Sequence, residues 1–410
     1  MLRTLTAAAA ALTCCAATAQ ANVQLYGIID AGVTRVSGLR DGSVNQVASG
    51  IMDGSRFGVR ANEDLGGGWR ALVTLEHRLE LDTGIGTNRP ISGGQLPDRV
   101  SQAALLGLPA PLQPVVDAVA GQIGAGVGVN LNNAFWDRQA FLGLVTPYGA
   151  ILAGRQYTPA FEITARFDAL GTQSGLSAGQ VGSIPAAVDI RASNAVAYRA
   201  EVGGITVSVM QNFAEGSATT GRLLGAMGMY RSGGLGLGVG YNTRKNERGQ
   251  TSLTNLVLGA SYKLDATEFF AMTASIQDKN PSGLSGLAAQ LTPQVGAPTA
   301  ALVQGAFVNA LRQDARLMHL GVKHVNGPHT VYAAWTRLDD KRPANADTQS
   351  YGAAYSYALS PRTDVNLVFV QFDNSGLGQA APGGNGYLGG VTARAGVDAQ
   401  SLALGLRHRF

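Results

Sequence analysis

Cysteine is almost absent. The 410 residues contain two, Cys14 and Cys15, and both fall within the first 21 positions. Residues 22–410 therefore have no disulfide to brace them and no thiolate for metal or redox chemistry. Charge of one sign is also missing. Basic residues number 31 against 27 acidic ones, a net charge of +4 that falls to +3 without Arg3. Spread over this length, so small an excess gives no sign of a nucleic-acid partner. Long apolar runs are missing too: the longest stretches poor in charge, near 100–133 and 280–311, are broken by prolines and glycines. Neither reads as a helix that crosses a membrane. Proline is sparse at 15 residues, while glycine reaches 55, scattered among alternating apolar residues rather than in low-complexity tracts.

What is present begins with "MLRTLTAAAAALTCCAATAQA". One positive charge, a short apolar run and the small-x-small site Ala19-Gln20-Ala21 predict a secretory signal peptide over 1–21, cleaved before Asn22. Thr13 and Cys14 stand where a lipid-attachment site carries Gly or Ala, which argues against a lipoprotein. Residues 22–410 contain no linker and read as one exported domain.

Period-two alternation runs from end to end. Trp69, Ala71, Val73, Leu75, Leu79 and Leu81 alternate with Arg70, Thr74, Glu76, Arg78, Glu80 and Asp82, and His77 is the polar entry on the apolar side. Leu235, Leu237, Val239 and Tyr241 alternate with Gly236, Gly238, Gly240 and Asn242. The ending "SLALGLRHRF" sets Leu402, Leu404, Leu406, His408 and Phe410 on one side and Arg407 and Arg409 on the other. These are strand spacings, not helical ones. Seven strand pairs flank short turns such as "LGGG", "EVGG" and "SGG". With an opening strand from Val23 and the closing one, they make 16 strands, with long loops on the other rim. A soluble sandwich shares the alternation but seldom keeps so many long strands. The expectation is an all-β fold, a 16-stranded antiparallel transmembrane barrel, since a membrane protein without a spanning helix must close its sheet.

"VQLYGIIDAGV", "SRFGVRANEDLGGG", "RQAFLGL", "AGRQY" and "GLRHRF", in this order and spacing, resemble the general-diffusion porins of Gram-negative bacteria, closest to the β-proteobacterial type. The resemblance covers most of residues 22–410. It implies a homotrimer in outer-membrane lipid and lipopolysaccharide, each barrel holding a water-filled pore narrowed by an inward-folded third long loop, here Thr158–Asp189. Small hydrophilic solutes and inorganic anions would diffuse through it, with no cofactor, metal or catalysis. Phe410, with Leu402, Leu404 and Leu406, matches the signal read by the barrel-assembly machinery, although His408 stands where many relatives carry Tyr.

By the same resemblance Arg56, Arg138 and Arg191 fall at positions of a basic pore wall. Arg60 and Arg199 are further lumen-facing candidates, as are the acids Asp30, Glu162 and Asp168. The third loop reads "TQSGLSAGQVGS" where enterobacterial porins carry carboxylates, so three arginines without acidic partners predict anion preference. Asp30, Glu76, Glu80, Glu162 and Asp168 are the acids able to oppose it.

Two rival functions need features this sequence supplies poorly. A substrate-specific channel needs an aromatic track, for which Tyr332, Tyr351, Tyr355 and Tyr357 are candidates, though most should face lipid. An outer-membrane barrel enzyme needs a catalytic cluster at the rim, and no nucleophile-elbow motif occurs. His319, His324 and His329 are spaced by five, which sends neighbours to opposite faces of a strand. "GAGVGVN" and "GLGLGVG" do not open helices after strands, so they are not nucleotide loops. Residues 83–132 and 279–313 read as variable external loops; the sharper alternative is that their apolar runs form short amphipathic helices packed over the pore mouth or across a neighbouring subunit.

Overall fold

The computed structural model describes residues 22–171, 174–214, 221–384, 386 and 388–410. The expected leader, 1–21, lies outside the described residues.

One antiparallel sheet closes on itself. β1 (Asn22–Leu39) is paired along one edge with two segments in succession, β2a (Gly42–Ser49) and β2b (Arg56–Gly66). These share one position in the ring, so 17 sheet segments make a 16-stranded barrel. The ring continues through β3 (Trp69–Arg78), β4 (Gln139–Thr146), β5 (Gly149–Tyr157), β6 (Arg191–Val202), β7 (Ile205–Asn212) and β8 (Leu223–Ser232). It runs on through β9 (Leu235–Lys245), β10 (Thr251–Leu264), β11 (Thr267–Asp278), β12 (Gln313–Asn326), β13 (His329–Asp340), β14 (Ala346–Ser360) and β15 (Thr363–Gly376). β16 (Ala399–Arg409) pairs with both β15 and β1 and closes it.

Closure follows from the alternation. Leu402, Leu404 and Leu406 stand about half exposed on the outer face, while Arg407 turns inward and binds Asp364 and Asp53. In lipid the outer face needs apolar side chains, and backbone groups must find partners within the sheet. At the seam, Phe410 and Gly27 exchange backbone hydrogen bonds of 3.1 Å. The Phe410 ring lies so close over Gly27 that a Cβ there would stand 2.3 Å from Phe410 Cζ.

Two strand expectations need correction. Residues 42–49, outside the 16 expected strands, form β2a, and the break between β2a and β2b is pinned by Asp30. Its carboxylate accepts from the Ile51, Met52 and Asp53 amides at 3.1, 2.9 and 2.7 Å. Second, β3 ends at Arg78, so Glu80 and Asp82 belong to the following loop.

Short turns sit on one rim. Loop 2 (79–138), loop 3 (158–190), loop 6 (279–312) and loop 8 (377–398) rise from the other. Loop 2 carries α1 (Asp98–Ser101) and α2 (Gln113–Ala125); loop 3 carries α3 (Pro159–Phe167); loop 6 carries α4 (Leu287–Val295) and α5 (Ala297–Leu311). On the sharper alternative, loops 2 and 6 were expected to cover the mouth or a neighbouring subunit. Within this chain they pack on each other, burying Leu96, Val100, Val116, Val119, Val303 and Phe307 in one cluster.

Candidate functional site

Loop 3 turns into the barrel. Thr158 caps α3 by accepting from the Phe161 amide at 3.4 Å, and Pro159 supplies the helical φ of the first turn. The buried face of α3, Ala160, Ile163 and Phe167, lies on inward glycines of β9 and β10. A Cβ at Gly259 would stand 2.2 Å from Phe167 Cδ2, and one at Gly238 2.4 Å from Phe167 Cε2. The "GLGLGVG" motif is therefore a floor without side chains on which a helix can rest inside the lumen. Beyond α3 the loop continues to the β15 wall, where Leu176 and Ala178 join Val368, Val370 and Phe372 in the main buried cluster.

The arginines lie on β2b to β6. Arg56 opens β2b just after the Asp30-pinned break; Arg138 precedes β4; Arg191 opens β6. Glu76 on β3 joins the first two: its carboxylate is 2.6 Å from Arg138 Nε and 3.6 Å from Arg56 Nε, and accepts from the Tyr26 hydroxyl at 3.0 Å. Tyr157, at the end of β5, joins the other two. Its hydroxyl accepts from Arg138 Nη2 at 3.1 Å and from Arg191 Nη2 at 3.2 Å, and the Arg191 guanidinium lies 4.8 Å over its ring. The three expected arginines thus form one station around Tyr157, which was not among the expected site residues, and Glu76, one of the acids named as able to oppose them. Tyr157 carried no signal beyond its position in "AGRQY". Glu76 was visible as an inward acid, but its pairing depends on strand register.

The arginines therefore do have an acidic partner, contrary to expectation. The station and its neighbours still carry an excess of positive charge. Arg56 is 3.8 Å from Asp53, which Arg407 also binds, and Arg407 and Arg409 share Asp364. Arg191 has no carboxylate within ion-pair distance among the described residues. Beside the station, Arg78 is held by Asp137 at 2.9 Å and lies 3.6 Å from Glu80. Burial pushes Glu80 up to about 7, against the opposing pull of Arg78 and Asn88.

The remaining candidates separate clearly. Arg60 reaches inward and lies 4.0 Å over the Tyr26 ring. Arg199 binds Glu162 of α3 at 2.7 Å, and two similar pairs, Arg166–Glu268 and Arg244–Asp189, tie loop 3 to the wall. Two lumen-facing assignments need correction. Asp30 is fully buried with its carboxylate oxygens spent on the break between β2a and β2b. Asp168 is buried at the end of α3, accepting from the Leu170 and Ala178 amides at 2.9 and 2.8 Å. Short carboxylates beside a chain reversal are captured by its free amides before they can line a pore.

The tyrosine track does not form: Tyr351, Tyr355 and Tyr357 are exposed on the outer wall, and Tyr332 alone of the four packs against the interior cluster. His319 is buried with Nδ1 2.8 Å from Thr336 Oγ1, whereas His324 and His329 engage Thr267 and Tyr355.

Comparison with known proteins bears on this arrangement. Residues 5–377 match the family model described as Gram-negative porin. The chain is 24% identical over 413 residues to outer membrane porin protein 32 of Delftia acidovorans, covering 96% of each. It is 23% identical over 387 residues to an outer membrane porin of Bordetella pertussis, covering 85% of this chain and 88% of that one. Among solved structures it is similar to an anion-selective porin from Comamonas acidovorans, with a TM-score of 0.69, 19% identity, and coverage of 95% of this chain and 100% of that one. It is also similar to a trimer form of OmpT of Vibrio cholerae, with a TM-score of 0.57, 15% identity, and coverage of 95% and 99%. The chain belongs to the Gram-negative porin family, and its barrel is an outer-membrane channel for passive diffusion of small solutes.

Proposed function

We propose that this channel prefers anions and that Arg56, Arg138, Arg191 and Tyr157 form its selectivity station. The observation that carries the reading is the convergence of three guanidinium groups on one carboxylate and one phenol, facing a loop whose own charges are spent on the wall. Positive charge in a narrow, low-dielectric passage raises the local concentration of anions far more than the same charge on an open surface. With its oxygen engaged by two guanidinium donors, the Tyr157 hydroxyl keeps only its hydrogen to offer, which also suits an anion. Anion selectivity in the Comamonas protein supports the same reading. The channel filters by wall charge and width and carries out no catalysis.

The test is the zero-current potential of the reconstituted protein across a KCl gradient. Chloride preference is expected, reduced in Arg191→Gln; a cation-selective wild type would refute the station.

Three further readings accompany it. Residues 1–21 are a leader removed before Asn22. The working unit is a homotrimer in lipopolysaccharide-bearing membrane, as the trimeric OmpT form suggests. Phe410 with the outward leucines of β16 is the segment that the barrel-assembly machinery reads.

A further inference from the structure

We propose that loops 2 and 6 form a size sieve across the outer mouth, in series with the charge filter at the arginine station. Loop 2 leaves the ring between β3 and β4, and loop 6 between β11 and β12. Those positions are half a ring apart, so loops that touch must span the opening. The contact is a packed core and not a graze: Val116 of loop 2 and Ala300, Val303 and Phe307 of loop 6 are wholly buried.

The span is also moored to the rim. In loop 8, Gln379 accepts from the Asp98 amide at 2.7 Å, and the Ala395 amide donates to the Asp98 carboxylate at 3.0 Å. From the loop after β9, Glu247 accepts from the Gly283 and Ser285 amides at 3.0 and 2.9 Å. Within loop 2 itself, Arg89 donates to the Val127 and Ala125 carbonyls at 2.7 and 2.8 Å, just where α2 ends, and so braces the loop internally. Gly94 and Gly124 meet backbone to backbone, with room for no side chain. Two moorings to other loops, with loop 2 braced on itself by Arg89 and the Gly94–Gly124 contact, make a fixed bar, and a solute must pass beside it.

The bar's chemistry says what it sorts. Residues 280–311 contain no Asp, Glu, Lys or Arg. Residues 83–132 of loop 2 add Arg89, Asp98, Arg99 and Asp117, which cancel in net charge. The bar therefore discriminates by width, whereas the arginines of the station discriminate by sign, and the two filters should separate experimentally. This inference rests on the diffusion channel but not on its anion preference.

Two variants test it: replacement of 284–311 by a short Gly-Ser linker, and Val303→Asp, which places a charge in the buried cluster. Each is reconstituted into liposomes and swelling is followed with mono-, di- and trisaccharides. Flux of the larger sugars relative to the smallest should rise severalfold in both, while in the linker variant, which removes no charge, the zero-current potential stays at the wild-type value. Unchanged relative fluxes in the linker variant would overturn the sieve. So would unchanged fluxes in Val303→Asp once limited proteolysis within 103–127 showed that the span had opened. A shifted potential with unchanged sugar fluxes would also overturn it, because the loops would then act on charge. Failure of the anion-preference reading would appear separately, as a cation-selective wild type.

Discussion

Glu76→Gln should make the channel more anion-selective. Glu76 is the carboxylate at the centre of the station, 2.6 Å from Arg138 and 3.6 Å from Arg56, and the substitution keeps its size while removing its charge. An ion passing about 6 Å away in a water-like dielectric interacts with that charge by about 0.7 kcal/mol. Its loss lowers the energy of an anion and raises that of a cation by equal amounts, so the ratio moves by about 1.4 kcal/mol, or about tenfold. Screening trims the gain to about fourfold at an ionic strength of about 0.1 M and to under about twofold at about 1 M. The assay is the zero-current potential measured at several mean salt concentrations with a fixed ratio across the bilayer. Arg138 is buried, and breaking a buried pair can cost about 3–5 kcal/mol, so heat-modifiable mobility on gels must first show that the variant assembles. An assembled variant with an unchanged potential, or one shifted toward cations, refutes the reasoning. So does a gain that fails to fade with salt, because the effect would then not be electrostatic.

Other consequences are equally open to measurement. Glu80 is held up to about 7 by burial, so it is neutral at low pH and gains its charge as pH rises through that value. Its neutral form is the one the fold favours: the associated stabilisation is complete below the ordinary Glu range and lost as pH rises through about 7. Anion preference should therefore be greater at acidic than at alkaline pH, with a midpoint near about 7 that Glu80→Gln abolishes; a flat profile in the wild type would count against it. Gly259→Val should push α3 off its floor, read as new protease cleavage within 158–190 in a barrel that still shifts on heating. Intact loop 3 in that variant would mean the glycine floor is not needed. Deleting Phe410 should lower the amount of assembled protein more than the conductance of what does assemble, and wild-type levels on unheated gels would remove the assembly role. N-terminal sequencing of membrane-extracted protein should begin at Asn22; Met1 or a lipidated Cys15 would rule out the proposed cleavage.

Much of the fold was legible because its rules are local. In a barrel wall the side-chain period is two, so Leu402, Leu404 and Leu406 declare the lipid face and Arg407 the aqueous one without reference to any other strand. Short Gly-rich turns declare which strands are neighbours, and a closed sheet leaves little freedom beyond that. The sequence also held the glycines of "GLGLGVG" in plain view on the inward face. What it could not say was why they were there, since the helix that needs the space lies some 70 residues upstream in loop 3.

Pairing between distant loops and strands was decided only in three dimensions. Whether Glu76 meets Arg138 depends on the stagger of β3 against a loop 2 that returns some 60 residues later. Asp30 and Asp168 are acids on plausible faces, yet each is captured by backbone amides from a chain reversal whose path no periodicity reveals. Loops 2 and 6 each show apolar helical segments, but that they meet across the mouth follows only from the closing of the ring. Alternation is a property of one strand with its two solvents, lipid and water, so composition and spacing determine it. Charge pairing, loop burial and the span over the mouth depend on distances between segments far apart in the chain, and those distances exist only once the barrel has closed.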